Sequence, residues 1–201
     1  MKTYTFEDQG AWLSARHGKI TGTRLKDIIV KRGTGKKIGF YELIAERLGI
    51  PADDENAMER GHRLEGEAME QFTKETGKFV NASLVLWTRD DNESIAISPD
   101  GFIGDTEAVE IKCLSSARHI EALLTQAVPD DYEFQKLQYF IVNEKLQTLH
   151  FCFYDPRILA KPFFIIEVKR EDVQSEVDQY LEYQRTTLAE VDAIVLELSN
   201  F

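Results

Sequence analysis

The sequence predicts an α/β (α+β) domain in which a central mixed β-sheet is flanked by helices. Three observations predict it. Apolar residues recur at helical spacing through much of the first 76 positions. The period then drops to two in a cluster of short β-rich runs. After that cluster come two more helices, two strands and a closing helix, a succession expected of one layered α/β core.

Residues 6–17 (FEDQGAWLSARH) have helical spacing, with Phe6, Trp12 and Leu13 apolar. Thr21 can cap a second helix, TRLKDIIVK, which frays into the basic loop KRGTGKK. Helices follow over 38–48 and 56–76, the latter carrying Met58, Leu64, Ala68 and Phe72 near one face. Residues 80–87 (VNASLVLW), 93–98 (ESIAIS) and 108–113 (AVEIKC) read as strands, and a Pro-Asp-Gly turn leads out of the second. Helices are predicted over 117–127 and 131–143, strands over 146–154 (LQTLHFCFY) and 163–169 (FFIIEVK), and an acidic closing helix over 171–197. No repeat, low-complexity tract or Pro/Gly/Ser-rich linker interrupts residues 1–201, so one domain is expected.

At 43% hydrophobic and 29% charged, the composition is that of an ordinary soluble protein. No apolar run approaches the roughly 18 residues that span a bilayer. The segment MKTYTFEDQG lacks the apolar core of a signal peptide. Cys113 and Cys152 both lie in apolar runs, as buried thiols would, which points to a reducing cytoplasm. The net charge of −11 excludes a protein coated in basic patches. It is unevenly spread: residues 1–50 hold ten Lys/Arg against five Asp/Glu, whereas residues 171–201 hold one Arg against eight acids. A basic N-terminal third can steer a polyanion to one face, and a solvated basic surface explains the same charges.

The chemistry concentrates in residues 97–113, ISPDGFIGDTEAVEIKC. Side chains two apart on a strand share a face, so Glu110 and Lys112 point the same way, roughly 6.6 Å apart along the chain. Val109 and Ile111 are left to pack on the other side. Asp100, at the start of the adjoining hairpin, can bring its carboxylate to Glu110. Two such carboxylates suit Mg²⁺, which polarises a phosphate and acidifies a bound water. Lys112 can orient that water or offset charge developing on the phosphate. Glu-x-Lys is a cheap pattern, however, and recurs at Glu167 and Lys169. No hairpin aspartate precedes that second copy; its nearest acid, Asp155, sits in YDPR, so it reads as a strand edge. Glu65, beside Glu67 and Glu70 in ERGHRLEGEAMEQF, is a further candidate acid or part of a solvated helix face. Gln138 and Tyr139, in EFQKLQYF, lie on a helix whose other face (Phe134, Leu137, Ile141) is apolar.

Taken in order, RHGKITGT, KKIGFYELIAERLG, ERGHRLEGEAMEQF, SPDGF, EIKC, QKLQYF and YDPR resemble phage lambda exonuclease and its recombinase relatives. These belong to the restriction-endonuclease-like, Pro-Asp…Glu-x-Lys nuclease superfamily. The resemblance runs from about residue 10 to 170, and seven blocks in one order are more specific than any single motif. It implies a restriction-endonuclease-like core and a Mg²⁺-dependent enzyme (Mn²⁺ as substitute) that digests one strand of duplex DNA from a 5′-phosphorylated end. Mononucleotides are released and a 3′ single-stranded tail remains for a single-strand annealing protein. It also implies a ring-shaped homotrimer around DNA and a phage or prophage protein acting in the bacterial cytoplasm.

By the same resemblance, Asp100 and Glu110 match metal ligands, with the Ile111 carbonyl completing the set. Lys112 matches the catalytic lysine, Glu65 the helical acid near a second metal position, and Gln138 the glutamine of a Gln-Tyr pair. Arg16, Thr23, Ser98 and Arg118 match a 5′-phosphate pocket. Lys31, Arg32, Lys36 and Lys37 match a DNA-tracking loop, with the arginine offset by one residue. Met58 stands where an apolar wedge splits the last base pair, and a core methionine is the plain alternative. A structure-specific endonuclease or junction resolvase of the superfamily would carry the same centre without needing the phosphate pocket. A catalytically silent DNA clamp would not need to retain Asp100, Glu110 and Lys112 together. KRGTGKK is no P-loop, since Val30 stands where glycine is required and no Ser/Thr follows the Gly-Lys. Two distant Cys and four scattered His lack zinc-ligand spacing.

Overall fold

A computed structural model of the chain describes residues 8, 10, 11, 14, 37–50 and 57–198. Of the helix predicted at 6–17, residues 10, 11 and 14 are described and helical, and the Asp8 carboxylate accepts the Ala11 N–H at 2.7 Å. The predicted helix after Thr21 and its basic loop lie outside the described residues up to Lys37.

The described helices are α1 (Ile38–Arg47), α2 (Ala57–Thr76), α3 (Ser116–Thr125), α4 (Glu133–Val142) and α5 (Arg170–Leu198). Strands β1 (Trp87–Thr88) and β2 (Ala96–Ile97) form a small antiparallel ladder. Strands β3 (Gly101–Ile103), β4 (Glu107–Lys112), β5 (Thr148–Tyr154) and β6 (Phe163–Lys169) form a mixed four-stranded sheet in that order. Helices flank it, so the predicted fold class stands. Among the described residues no helix is long and apolar enough to cross a membrane.

The expected strand at 80–87 is not one. The segment pairs only at Asn81, bridged to Phe102, and again at Trp87–Thr88. Asn81 supplies the reason: its side-chain oxygen takes the Ser83 N–H at 2.9 Å, a local bond that competes with a ladder. Leu84 and Leu86 are accordingly exposed.

Contacts divide the chain into two compact units, each assembled from separate stretches. The first comprises residues 1–64, 113–126 and 153–164. In it α1 packs on α3, and Tyr41, Ala45, Ile50, Ala117, Ile120 and Ile158 form one buried cluster. Ser115 caps α3, and the Ser116 hydroxyl donates to the buried Asp155 at 2.5 Å, which also holds Arg157 at 2.8 Å. The second unit comprises residues 65–112, 127–152 and 165–201. Phe72, Ala108, Val109, Leu137, Phe140, Leu149 and Phe151 are buried there, each of the larger ones contributing roughly 1.5–3 kcal/mol. Here α4 packs along α5 and on β2, and its Gln135 and Tyr139 side chains reach Glu110 of β4.

Candidate active site

All the groups that converge lie in the second unit. The β3–β4 hairpin sets Gly101 opposite Val109, so Asp100, one step further, falls beside Glu110. Gly104 makes the turn possible, with φ at +57°. Gly101 is required for space: a Cβ there would meet the Val80 side chain at 2.4 Å. Asp100 is fixed by the Ile111 N–H, donated to its Oδ2 at 2.7 Å.

Glu110 is almost fully buried, at 2% exposure, and both its oxygens accept hydrogen bonds. Oε1 accepts from Gln135 at 2.6 Å and pairs with Lys112 Nζ at 2.6 Å. Oε2 accepts the Tyr139 hydroxyl. Burial, followed by the Glu110 charge, pushes the Tyr139 phenol far up, so it remains a donor. Lys112 Nζ also stands over the Tyr132 ring, 4.7 Å from its centre.

Asp100 is the strained member. Burial first, and then the neighbouring charge on Glu110, push its carboxyl up to about 7; Glu65 adds to this, while Ile111 N–H and Lys112 oppose it. Cys152 is a free, buried thiol held well above its ordinary pKa, first by burial and then by Asp100, Glu110 and Glu75, which makes it inert. Cys113 is likewise a buried thiol.

The predicted residues divide clearly. Asp100, Glu110, Ile111 and Lys112 come together, with Glu65 near enough to act on Asp100 through its charge. Gln138 does not join them: its amide donates to the Ala96 carbonyl at 3.2 Å and exchanges bonds with Gln184. Gln135 stands in the place expected of Gln138, because residues four apart on a helix share a face and Gln135 therefore aligns with Tyr139. That spacing is present in EFQKLQYF, but it selects Gln135 over Gln138 only once the face of the helix turned to Glu110 is known.

Ser98 is exposed just past β2. Arg118, in the first turn of α3, belongs to the first unit and pairs with Glu121 at 2.8 Å. Arg16, Thr23, Lys31, Arg32 and Lys36 lie outside the described residues, as does the Met58 side chain; Lys37 is exposed at the start of α1. The second Glu-x-Lys behaves as expected of a strand edge: Glu167 is half exposed and pairs with Lys169 at 2.9 Å.

Among the described residues no group of three or more His, Cys, Asp or Glu side chains has metal-binding geometry. A cation that takes one or two carboxylates and keeps its waters needs no such group, and the Asp100–Glu110 pair fits it. A cation between these desolvated, mutually repelling carboxylates would relieve their repulsion, and the adjacent ammonium can steady developing negative charge.

A four-stranded mixed sheet flanked by helices is the architecture shared with alkaline exonucleases of known structure. The chain belongs to the YqaJ-like viral recombinase domain family, whose model matches residues 11–145. It is similar to an alkaline exonuclease (LHK-Exo) from Laribacter hongkongensis at 29% identity and TM-score 0.63, covering 96% of this chain and 97% of that one. It is also similar to LHK-Exo in complex with dAMP, at 28% identity and TM-score 0.54, covering 91% and 100%. A comparison with curated proteins gave no match.

Proposed function

We propose that this protein is a deoxyribonuclease that digests one strand of duplex DNA from its 5′ end, using Mg²⁺ or Mn²⁺, and leaves a 3′ tail for annealing. The observation that carries the reading is the meeting of Asp100, Glu110 and Lys112 around the β3–β4 hairpin. Family membership and the likeness to an alkaline exonuclease, one form of which was solved with the mononucleotide dAMP, support a nucleotide-releasing exonuclease.

Asp100, Glu110 and the Ile111 carbonyl would hold the cation, with Glu65 as the neighbouring acid. When bound, such an ion acidifies water and offsets phosphate charge. The chain's own groups do the rest. Gln135 and Tyr139 hold Glu110 in one rotamer, so its lone pairs have a fixed direction. Lys112 keeps an ammonium beside the acid pair, where it can orient the attacking water or stabilise the departing oxygen. Arg118, with Arg16, Thr23 and Ser98, would bind the terminal 5′-phosphate. Lys31, Arg32, Lys36 and Lys37 would follow the backbone of the duplex, and Met58 would part its last base pair. The enzyme would work as a homotrimeric ring in a bacterial cytoplasm and pass its product to a single-strand annealing protein. Sedimentation of a stable monomer that still digests processively would remove the ring.

Linear duplexes labelled at either end, incubated with and without Mg²⁺, test the activity. Release of mononucleotides from the 5′ label first, only with the ion, is expected. Cutting of covalently closed circular duplex would overturn it in favour of an endonuclease.

A further inference from the structure

We infer that Tyr132 is a positioning residue for Lys112, acting through the face of its ring; the inference rests on the catalytic reading of Lys112. The contact brings together residues 20 apart in sequence. Lys112 Nζ is bracketed by two groups, the Glu110 carboxylate at 2.6 Å and the Tyr132 ring at 4.7 Å. Tyr132 closes a short 3₁₀ turn (Asp130–Tyr132) and occupies the N-cap of α4. Tyr132, Gln135 and Tyr139 then fall at positions i, i+3 and i+7, a single helical row. Gln135 and Tyr139 serve Glu110, and Tyr132 serves its lysine. The Tyr132 ring also meets Phe151, fully buried and tilted against it, with ring centres 6.0 Å apart.

The two contacts on Lys112 are not equivalent. The carboxylate uses an oxygen lone pair, and in the proposed reaction that oxygen is wanted elsewhere. An aromatic face attracts an ammonium through its quadrupole without consuming an acceptor or neutralising a charge. Held by Tyr132, Lys112 therefore stays beside the acid pair when its bond to Glu110 is shared or lost, and keeps N–H groups free for the reacting oxygens. Lys112 is only 19% exposed, so the attraction works away from bulk water.

The experiment is single-turnover digestion of a linear duplex with Mg²⁺, with DNA binding measured separately in its absence. Tyr132→Leu should slow turnover by about five- to thirtyfold, the factor such an attraction is worth, with binding little changed. Tyr132→Phe should keep most of the rate. Fluorinated phenylalanines at position 132, which keep the shape while draining the ring's negative face, should slow it progressively; this series also serves if Tyr132→Leu fails to fold. In a Lys112→Ala background, Tyr132→Leu should have no further effect. Equal rates across the fluorinated series, or Tyr132→Phe as slow as Tyr132→Leu, would overturn the proposal. If Lys112→Ala itself digests DNA normally, the catalytic reading of the lysine has failed instead.

Discussion

Proton release on binding a cation follows from the position of Asp100. Its carboxyl is raised to about 7 by burial and by Glu110, whereas a carboxylate must be ionised to hold a metal. With that value, roughly one site in eleven is ionised at pH 6 and roughly ten in eleven at pH 8. The apparent affinity for Mn²⁺ should therefore fall about tenfold between pH 8 and pH 6. Protons released per ion should rise from about 0.1 at pH 8 to about 0.9 at pH 6. Calorimetry in paired buffers of different ionisation heat, without DNA, reads this number directly. The metal-free fold carries the same signature in its stability. Because the folded value lies above the ordinary 3.8, Asp100 favours the folded state at low pH and loses that contribution as pH rises through about 7. The change between pH 6 and pH 8 is about 1.4 kcal/mol. His119 works oppositely: burial lowers its pKa, so stability is lost as pH falls below 6.5. The difference between the unmutated protein and Asp100→Asn isolates the carboxyl. Proton release that stays flat across this range would refute the reasoning.

Tyr139→Phe leaves a buried carboxylate one donor short and should cost about 2 kcal/mol in urea unfolding without changing the fold. Gln135→Ala should cut single-turnover digestion at least tenfold by freeing the Glu110 rotamer, while Gln138→Ala stays within about threefold, since Gln138 bonds Ala96 and Gln184. Glu110→Ala should abolish cleavage and Glu167→Ala should not; the reverse outcome, in folded proteins, would move the centre to the second Glu-x-Lys. A 5′-phosphorylated duplex should be digested faster than a 5′-hydroxyl one, and Arg118→Ala should erase most of the difference.

What was legible in the sequence was what local periodicity dictates. Glu110 and Lys112 share a face because strands alternate, and Asp100 joins them because a short hairpin can return only a few residues. The helices over 38–48 and 56–76 emerged within a residue of α1 and α2, as strong amphipathic periods do. The segment 80–87 misled because β propensity records how a side chain fits a pleated surface, and an Asn81 turn can keep a β-rich run out of the sheet. Gln135 was missed for another reason. EFQKLQYF offers two glutamines, and choosing between them requires knowing which face of α4 meets β4. The face that meets α5 took Gln138. The contact of Tyr132 with Lys112 joins distant positions that no spacing rule connects.

The two carboxylates are built for different parts. Glu110 has both oxygens occupied by donors from α4 and β4, so its position is set before anything binds. Asp100 has the Ile111 N–H as its hydrogen bond among the described residues, and it faces two other acids. A site in which both acids were saturated would be stable but would repay little when a cation arrived. One in which both were bare would be too costly to keep folded. In the proposed reaction this division would leave a fixed ligand beside one that gains its charge when a cation binds. Burial first, and then the Glu110 charge, raise Asp100, and both penalties on its ionised form would be eased by a positive charge placed between Asp100 and Glu110.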